Sequence, residues 1–319
     1  MNVQKTVLVL LPLDAAEKQE LEAMAPHNSY LYPEKADLTQ EMIMDSHVIL
    51  GSVPVAGIAG SDKLEWLQLS SAGAREYVIS GQFPEQAVLT NAAGAYGLAI
   101  SEHMLAMLLM IQKKLYLYHR NKLSSTWQSE GGVTSIDGAT TVVVGLGDIG
   151  REFARRMKLL GSQTIGVKRH PADRPPYVDE LHLIAELDQL LPRADVVALS
   201  LPDTDETYQI MNRKRLAAMK KTAILLNVGR GRSVDTEALC DLMEEGHLLG
   251  AGLDVTDPEP LPADHRLWKI PNALITPHVS GGYSLIQTRR RIARIALDNY
   301  ARYLRGETLD KRVDFRLGY

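Results

Sequence analysis

The chain has 319 residues, enough for two domains of ordinary size, and its 45% hydrophobic and 23% charged content is that of a soluble globular protein. A net charge of −4 gives no electrostatic reason to expect nucleic acid or an acidic membrane surface as a partner. One cysteine, Cys240, cannot form an internal disulfide; it sits in the apolar helical pattern "TEALCDLMEEG", which fits a buried thiol and a reducing, cytoplasmic compartment.

The opening stretch, "MNVQKTVLVLLPLD", couples one lysine to an apolar run, but no small-residue cleavage site follows. The run is short, rich in Val and Leu, and stops at Pro12 and Asp14, so it reads as a first buried strand. "SHVILGS", "LEWLQLS" and "AVLTN" read as further strands of a first unit, with the helix "DAAEKQELEAMA" between the first two. Next comes one long helix, "ISEHMLAMLLMIQKKLYLYHRNK", then a loop with Trp127 and "EGG". Glu102 and His103 interrupt its apolar stretch, so no segment is expected to span a bilayer.

A second series follows: "TTVVVGLG", "QTIGVKR", "ADVVALSLP", "AILLNVG", "GAGLDV" and "NALITPH" read as buried strands, with helical segments such as "IGREFARRMKLLG" and "RKRLAAMK" between them. The tail, "SLIQTRRRIARIALDNYARYLRGE", is a last helix. Strand–helix alternation of this kind predicts mostly parallel sheets covered on both faces. Boundaries between the two units are expected near Gly97 and Ser284, and no repeat at a fixed period is visible.

Gly145, Gly147 and Gly150 form G-x-G-x-x-G between a strand and a helix, with the next strand at the spacing of a dinucleotide-binding unit. The first glycine allows a tight turn, the second close approach of a pyrophosphate, and the third close helix–strand packing. The helix N-terminus then offers N–H groups and the positive dipole end to phosphates. Asp148 lies inside this turn; its carboxylate is expected to point outward, leaving its N–H for the ligand.

About 20 residues beyond such a turn an Asp or Glu ordinarily grips the ribose hydroxyls of NAD. Here the chain offers Lys168, Arg169 and His170. A cation there would attract the additional ribose phosphate of NADP, and the planar fork of an arginine suits phosphate oxygens best. The pattern predicts preference for NADP(H), with Lys168 and Arg169 on the 2′-phosphate and NAD(H) as the lesser alternative. A solvated basic loop, "KRHPADR", is the reading without a ligand.

Three later stretches place reactive side chains just beyond predicted strands: Arg230 in "LLNVGRGRSVD", Asp254 and Glu259 in "GLDVTDPEPLP", and His278 in "LITPHVSGG". Ligands of open α/β sheets bind outside the carboxyl ends of the strands, and all four residues come from that edge. Taken singly, each has an ordinary alternative as a surface charge, a turn residue or a satisfied buried histidine.

In this order, "TNAAGAYGLAISEHMLAMLL", "VVVGLGDIG", "LLNVGRG", "LDVTDPEPLP" and "TPHVSGG" resemble the D-isomer-specific 2-hydroxyacid dehydrogenase family, which includes glyoxylate/hydroxypyruvate reductases and phosphoglycerate dehydrogenases. The likeness runs from Asn91 to Gly282 and, more loosely, through the first unit. It implies two doubly wound parallel-sheet α/β domains. A Rossmann cofactor domain, 98–284, would be inserted into a flavodoxin-like substrate domain made of 1–97 and 285–319.

The resemblance also implies roles. Arg230 would bind the substrate carboxylate and polarise its carbonyl oxygen, and His278 would be the general acid and base, hydrogen-bonded and oriented by Glu259. Asp254 would hold the nicotinamide carboxamide, and Ile149 and Pro202 would complete the cofactor contacts. Ser71, Ala72 and Gly73, in "SSAGARE", look like the family's small-residue loop, whose backbone N–H groups meet the carboxylate; "GSVP", Gly51 to Pro54, is a further candidate wall. No metal is expected.

The implied activity is NADPH-dependent reduction of a small 2-keto acid to the D-2-hydroxy acid. Its rivals are an NAD-dependent D-lactate-type or phosphoglycerate dehydrogenase and a nucleotide-sensing corepressor-like binding protein. The chain ends soon after its last helix, so an appended regulatory domain is not expected. A homodimer is implied, with the long helix from Ile100 and the Trp127 loop as the interface; the "MLAMLLMI" face serves equally well as internal core.

Overall fold

Twelve strands among the described residues, 4–316, form two all-parallel sheets in the computed structural model. The first sheet contains β1 (Thr6–Val9), β2 (Ser29–Leu31), β3 (Val48–Leu50), β4 (Trp66–Gln68) and β5 (Val88–Thr90), in the order β2-β1-β3-β4-β5. The second contains β6 (Thr140–Val144), β7 (Gln163–Lys168), β8 (Glu180–Leu183), β9 (Val196–Leu199), β10 (Ile224–Asn227), β11 (Gly250–Leu253) and β12 (Ala273–Ile275), in the order β12-β11-β10-β9-β6-β7-β8. The first order is flavodoxin-like; the second is the doubly wound dinucleotide-binding order with one strand added.

The chain divides into two units, Met1–Tyr96 with Tyr283–Tyr319, and Gly97–Gly282. Residues 1–3 and 317–319, counted with the expected first domain, lie outside the described residues. In the first unit the last helix, Ile286–Leu304, buries Ile292, Ala293, Ala296, Leu297 and Tyr300 in one cluster with Val7, Val9, Val48 and Leu50 of β1 and β3. Full burial of each large side chain is worth about 1.5–3 kcal/mol, so the two ends of the sequence are held by a shared core. A polar clasp adds to it: Lys5 Nζ donates to Glu65 Oε2 at 2.6 Å and to Tyr303 Oη at 2.8 Å.

The predicted strands all appear, but β2 and β8 were not legible. Both lie at sheet edges and both are only half-buried, so pairing rather than an apolar run defines them. The expected single long helix is two, Gly97–Gln112 and Leu115–Leu123. Lys114 breaks it with a left-handed φ of 55°, and its ammonium donates to the Glu130 carbonyl. In the first of these helices Ile100, Met104, Met107, Leu108 and Ile111 are buried, so four of the eight "MLAMLLMI" residues belong to the internal core. Cys240 is fully buried, and burial pushes its thiol up to about 11, which makes it an inert core residue.

Candidate active site

All seven strands of the second sheet run parallel, so the loops after them gather at one edge. The glycine turn follows β6, at the point where strand order reverses between β7 and β9. Gly145 has φ 96°, and a Cβ there would stand 2.7 Å from the Ser200 carbonyl oxygen. A Cβ on Gly150 would meet the Gly145 carbonyl oxygen at 1.9 Å, so close packing excludes any side chain. Gly147 differs: no atom lies within 4 Å of the Cβ position, which leaves open space beside the start of the helix Asp148–Leu159. Ser200 Oγ donates to the Gly145 carbonyl at 2.8 Å and ties the turn to the end of β9. These features fit a nucleotide pyrophosphate: an open cradle over a helix N-terminus, on a backbone that cannot collapse into it.

Asp148 departs from expectation. Its carboxylate does not simply face outward; Oδ2 accepts the Gly97 N–H at 2.6 Å. Ile149 follows in the first turn of the helix, half-buried, and Pro202 lies on the loop after β9, where its carbonyl accepts Thr207 Oγ1 at 2.7 Å. Lys168 is the last residue of β7 and Arg169 follows it. The Arg169 guanidinium is engaged: Nη1 donates to Glu206 Oε2 at 2.8 Å and Nε to His170 Nε2 at 2.9 Å.

Arg230 follows β10 in an extended conformation between two constrained glycines. A Cβ on Gly229 would lie 2.6 Å from the Leu201 nitrogen, and one on Gly231 would lie 1.9 Å from the Thr256 oxygen. Asn227, fully buried, brackets the turn by accepting from Gly229 N at 3.1 Å and donating to the Arg230 carbonyl at 2.9 Å. Arg230 Nη1 donates to the Gly229 carbonyl at 2.7 Å, and among the described residues no carboxylate pairs with this guanidinium. Its neighbour Arg232 pairs with Asp203 at 3.3 Å.

His278 follows β12 with a left-handed φ of 52°, a conformation few non-glycine residues adopt. Its N–H donates to the Asp254 carbonyl at 2.8 Å, and its Nδ1 lies 2.7 Å from Glu259 Oε1. Both side chains are a little under half exposed, 46% and 42%, so the pair faces solvent. Among the described residues Nε2 has no partner in the chain. The expected pairing of His278 with Glu259 is thus present as geometry.

Asp254 is spent differently from the expectation. It is 1% exposed. Its Oδ1 accepts Thr276 Oγ1 at 2.6 Å and Val279 N at 3.0 Å, and its Oδ2 accepts Ser280 N at 3.2 Å and Ser280 Oγ at 2.5 Å. Four bonds on a buried carboxylate leave it no exposed oxygen for a carboxamide; it instead fixes the 276–280 loop that carries His278. His103, on the helix Gly97–Gln112, extends this network with Nε2 3.0 Å from Thr276 Oγ1. His103, Asn227, Thr276 and Ser280 were not singled out from the sequence. Asn227 and Thr276 sit inside the motifs "LLNVGRG" and "TPHVSGG", and that proximity was the available signal.

In the other unit, Ser71, Ala72 and Gly73 lie half-buried on the loop between β4 and the short helix Arg75–Ile79. The Ser71 carbonyl accepts from Ala92 N at 2.9 Å and the Ala72 carbonyl from Asn91 Nδ2 at 3.0 Å. Ser52, in "GSVP", holds the start of the loop, its Oγ accepting from Ser70 N at 3.2 Å.

A doubly wound sheet with this turn and this edge defines a dinucleotide-binding fold. The model of the D-isomer specific 2-hydroxyacid dehydrogenase NAD binding domain matches residues 105–280. A glyoxylate/hydroxypyruvate reductase B of Pectobacterium carotovorum is 33% identical over 223 residues, 67% of this chain and 68% of that protein. The crystal structure of a D-isomer specific 2-hydroxyacid dehydrogenase family protein from Aeromonas salmonicida is similar with TM-score 0.86 and 32% identity, covering 98% of this chain and 99% of that one. A D-isomer specific 2-hydroxyacid dehydrogenase from Xanthobacter autotrophicus, solved with NADPH and MES, is similar with TM-score 0.82 and 25% identity, covering 99% and 100%. The chain belongs to the D-isomer specific 2-hydroxyacid dehydrogenase family. It is an NAD(P)-dependent oxidoreductase of that family.

Proposed function

We propose that this chain reduces a small 2-keto acid of the glyoxylate or hydroxypyruvate type to the D-2-hydroxy acid, preferring NADPH to NADH. The observation that carries the reading is the 2.7 Å pair of His278 Nδ1 and Glu259, at the same sheet edge as an Arg230 guanidinium that no chain carboxylate occupies among the described residues. Glu259 takes one ring nitrogen and orients the imidazole, so Nε2 is left to pass a proton to the substrate's carbonyl oxygen. Arg230 pairs with the carboxylate and polarises the carbonyl. The reduced nicotinamide, when bound, supplies the hydride. Gly145, Gly147, Gly150 and the amides of Asp148 and Ile149 hold the pyrophosphate, Pro202 walls the nucleotide, and Lys168 and Arg169 take the 2′-phosphate. Asp254 acts through the loop it fixes. The amides of Ser71, Ala72 and Gly73 are offered to the substrate carboxylate.

One observation favours the NAD-dependent alternative: Glu206 already holds Nη1 of Arg169, so a 2′-phosphate would have to compete with it. Turnover of glyoxylate, hydroxypyruvate and pyruvate with both nucleotides decides. A higher kcat/KM with NADPH supports the proposal, a higher one with NADH selects the alternative, and no oxidation with any acid favours a nucleotide-sensing binding protein.

We also infer a homodimer in the cytoplasm. Trp127 is wholly exposed, and Leu123 and Val133 stand out of the same region at 74% and 54% exposure, an apolar surface suited to a second copy. Sedimentation at micromolar protein tests it. No helix among the described residues is long and apolar enough to cross a membrane.

A further inference from the structure

We infer that Tyr96 is a positioning residue for substrate: through the Ser70 carbonyl it aims the backbone amides of the Ser71–Gly73 loop. The inference rests on the proposed carboxylate role of that loop and goes beyond it by naming what holds the amides in place.

Three consecutive carbonyls are tethered into the unit from one segment, Asn91–Tyr96. Tyr96 Oη donates to the Ser70 carbonyl, Ala92 N to the Ser71 carbonyl at 2.9 Å, and Asn91 Nδ2 to the Ala72 carbonyl at 3.0 Å. In a trans peptide the carbonyl and the following N–H point in opposite directions. Tethering the carbonyls of residues 70, 71 and 72 therefore turns the amides of Ser71, Ala72 and Gly73 away from the tethers. Among the described residues none of these three amides donates a hydrogen bond within the chain. Three successive unspent amides, at half-buried positions, form a cradle for an anion.

Of the three tethers, two come from the loop's immediate neighbours in "TNAAG". Tyr96 makes the third from farther along, with a rigid side chain whose hydroxyl is raised well above its ordinary pKa, first by burial and then by Tyr283. The hydroxyl therefore stays protonated at any working pH and serves as a constant donor. Ser71 Oγ closes the far end of the loop by donating to the Gly73 carbonyl at 2.8 Å. Nothing in the loop's own side chains reaches outward; its chemistry is that of the backbone.

The test is Tyr96→Phe in the full-length protein, which deletes the hydroxyl and keeps the ring. Tyr30→Phe, which removes a hydroxyl bonded to the Ala25 carbonyl at 3.0 Å in the same unit, is the control. Loss of the aiming bond should raise the KM for glyoxylate about 3- to 10-fold and weaken oxalate inhibition by the same factor. The kcat should change less than about twofold, as should NADPH affinity measured by fluorescence, and Tyr30→Phe should leave KM unchanged. An unchanged KM in Tyr96→Phe, a fall in kcat at constant KM, or an equal rise in KM in the control overturns the inference and leaves the proposed reaction standing. A wild-type protein that reduces no keto acid and binds no oxalate sinks the proposed reaction first, and the inference with it.

Discussion

Two carboxylate pairs in the cofactor unit look alike and act in opposite senses. His278 Nδ1 meets Glu259 at 2.7 Å, and Arg169 Nη1 meets Glu206 at 2.8 Å; all four side chains are partly exposed. In the proposed reaction the first carboxylate occupies the ring nitrogen that substrate does not need, and so prepares the other one. In the second pair the carboxylate sits on the guanidinium proposed for the ribose phosphate, and would compete with it. The lesson is that a cation's place in the chain predicts what it can bind, whereas its counter-ion decides at what cost it binds.

The largest expected effect tests the first pair. His278→Ala should lower kcat for glyoxylate about 10²- to 10⁴-fold, the usual span for a positioned acid–base, with nucleotide affinity intact by fluorescence titration. Loss of nucleotide affinity together with activity would mean that the 276–280 loop itself had collapsed, and the comparison would fail at its first term. Next in size, Arg230→Lys should cut kcat/KM for the keto acid about 10²-fold, because an ammonium keeps the charge but not the bidentate fork. Retention of kcat/KM within about threefold would show that charge alone suffices there.

How much of this was readable beforehand follows from the same distinction. Arg230 and His278 carry their proposed chemistry in the side chain and lie close after apolar strand runs, with Glu259 in the proline-rich loop beyond another, so residue type and place single them out. The glycine turn was legible because Gly145 and Gly150 exclude any Cβ, a constraint that fixes residue identity directly. Asp254 was located but its task was not: nothing in "GLDV" reveals that both oxygens are taken by Thr276, Val279 and Ser280, more than twenty residues onward. The amides of Ser71–Gly73 were suspected only through family resemblance, since "SSAG" reads equally as an ordinary turn and the tether from Tyr96 is tertiary. Strands β2 and β8 escaped because edge pairing needs no apolar run. The break at Lys114 escaped because a lysine has no intrinsic reason to leave the helix.

The second pair is tested by Arg169→Asp. Replacing the fork with a carboxylate should lower kcat/KM for NADPH about tenfold or more while that for NADH changes little, since repulsion acts only on the additional phosphate. Equal losses with both nucleotides would remove Arg169 from the phosphate site and reduce the basic triplet to a solvated loop.

The smallest effect separates competition from support. If Glu206 competes with the 2′-phosphate, Glu206→Gln should lower the KM for NADPH about two- to fourfold and leave NADH unaffected. The size follows from exposure: the Glu206 side chain is 67% exposed, and pairs of that kind are worth about 0.2–1 kcal/mol after solvent screening. Salt supplies an independent check, because raising ionic strength screens both the internal pair and the approach of a phosphate. The advantage of the variant over wild type should therefore shrink between about 0.05 and 0.5 M salt. A rise in the KM for NADPH would reverse the assignment: Glu206 would then be holding the guanidinium in its binding pose, as Glu259 holds the imidazole, and the two pairs would be alike after all.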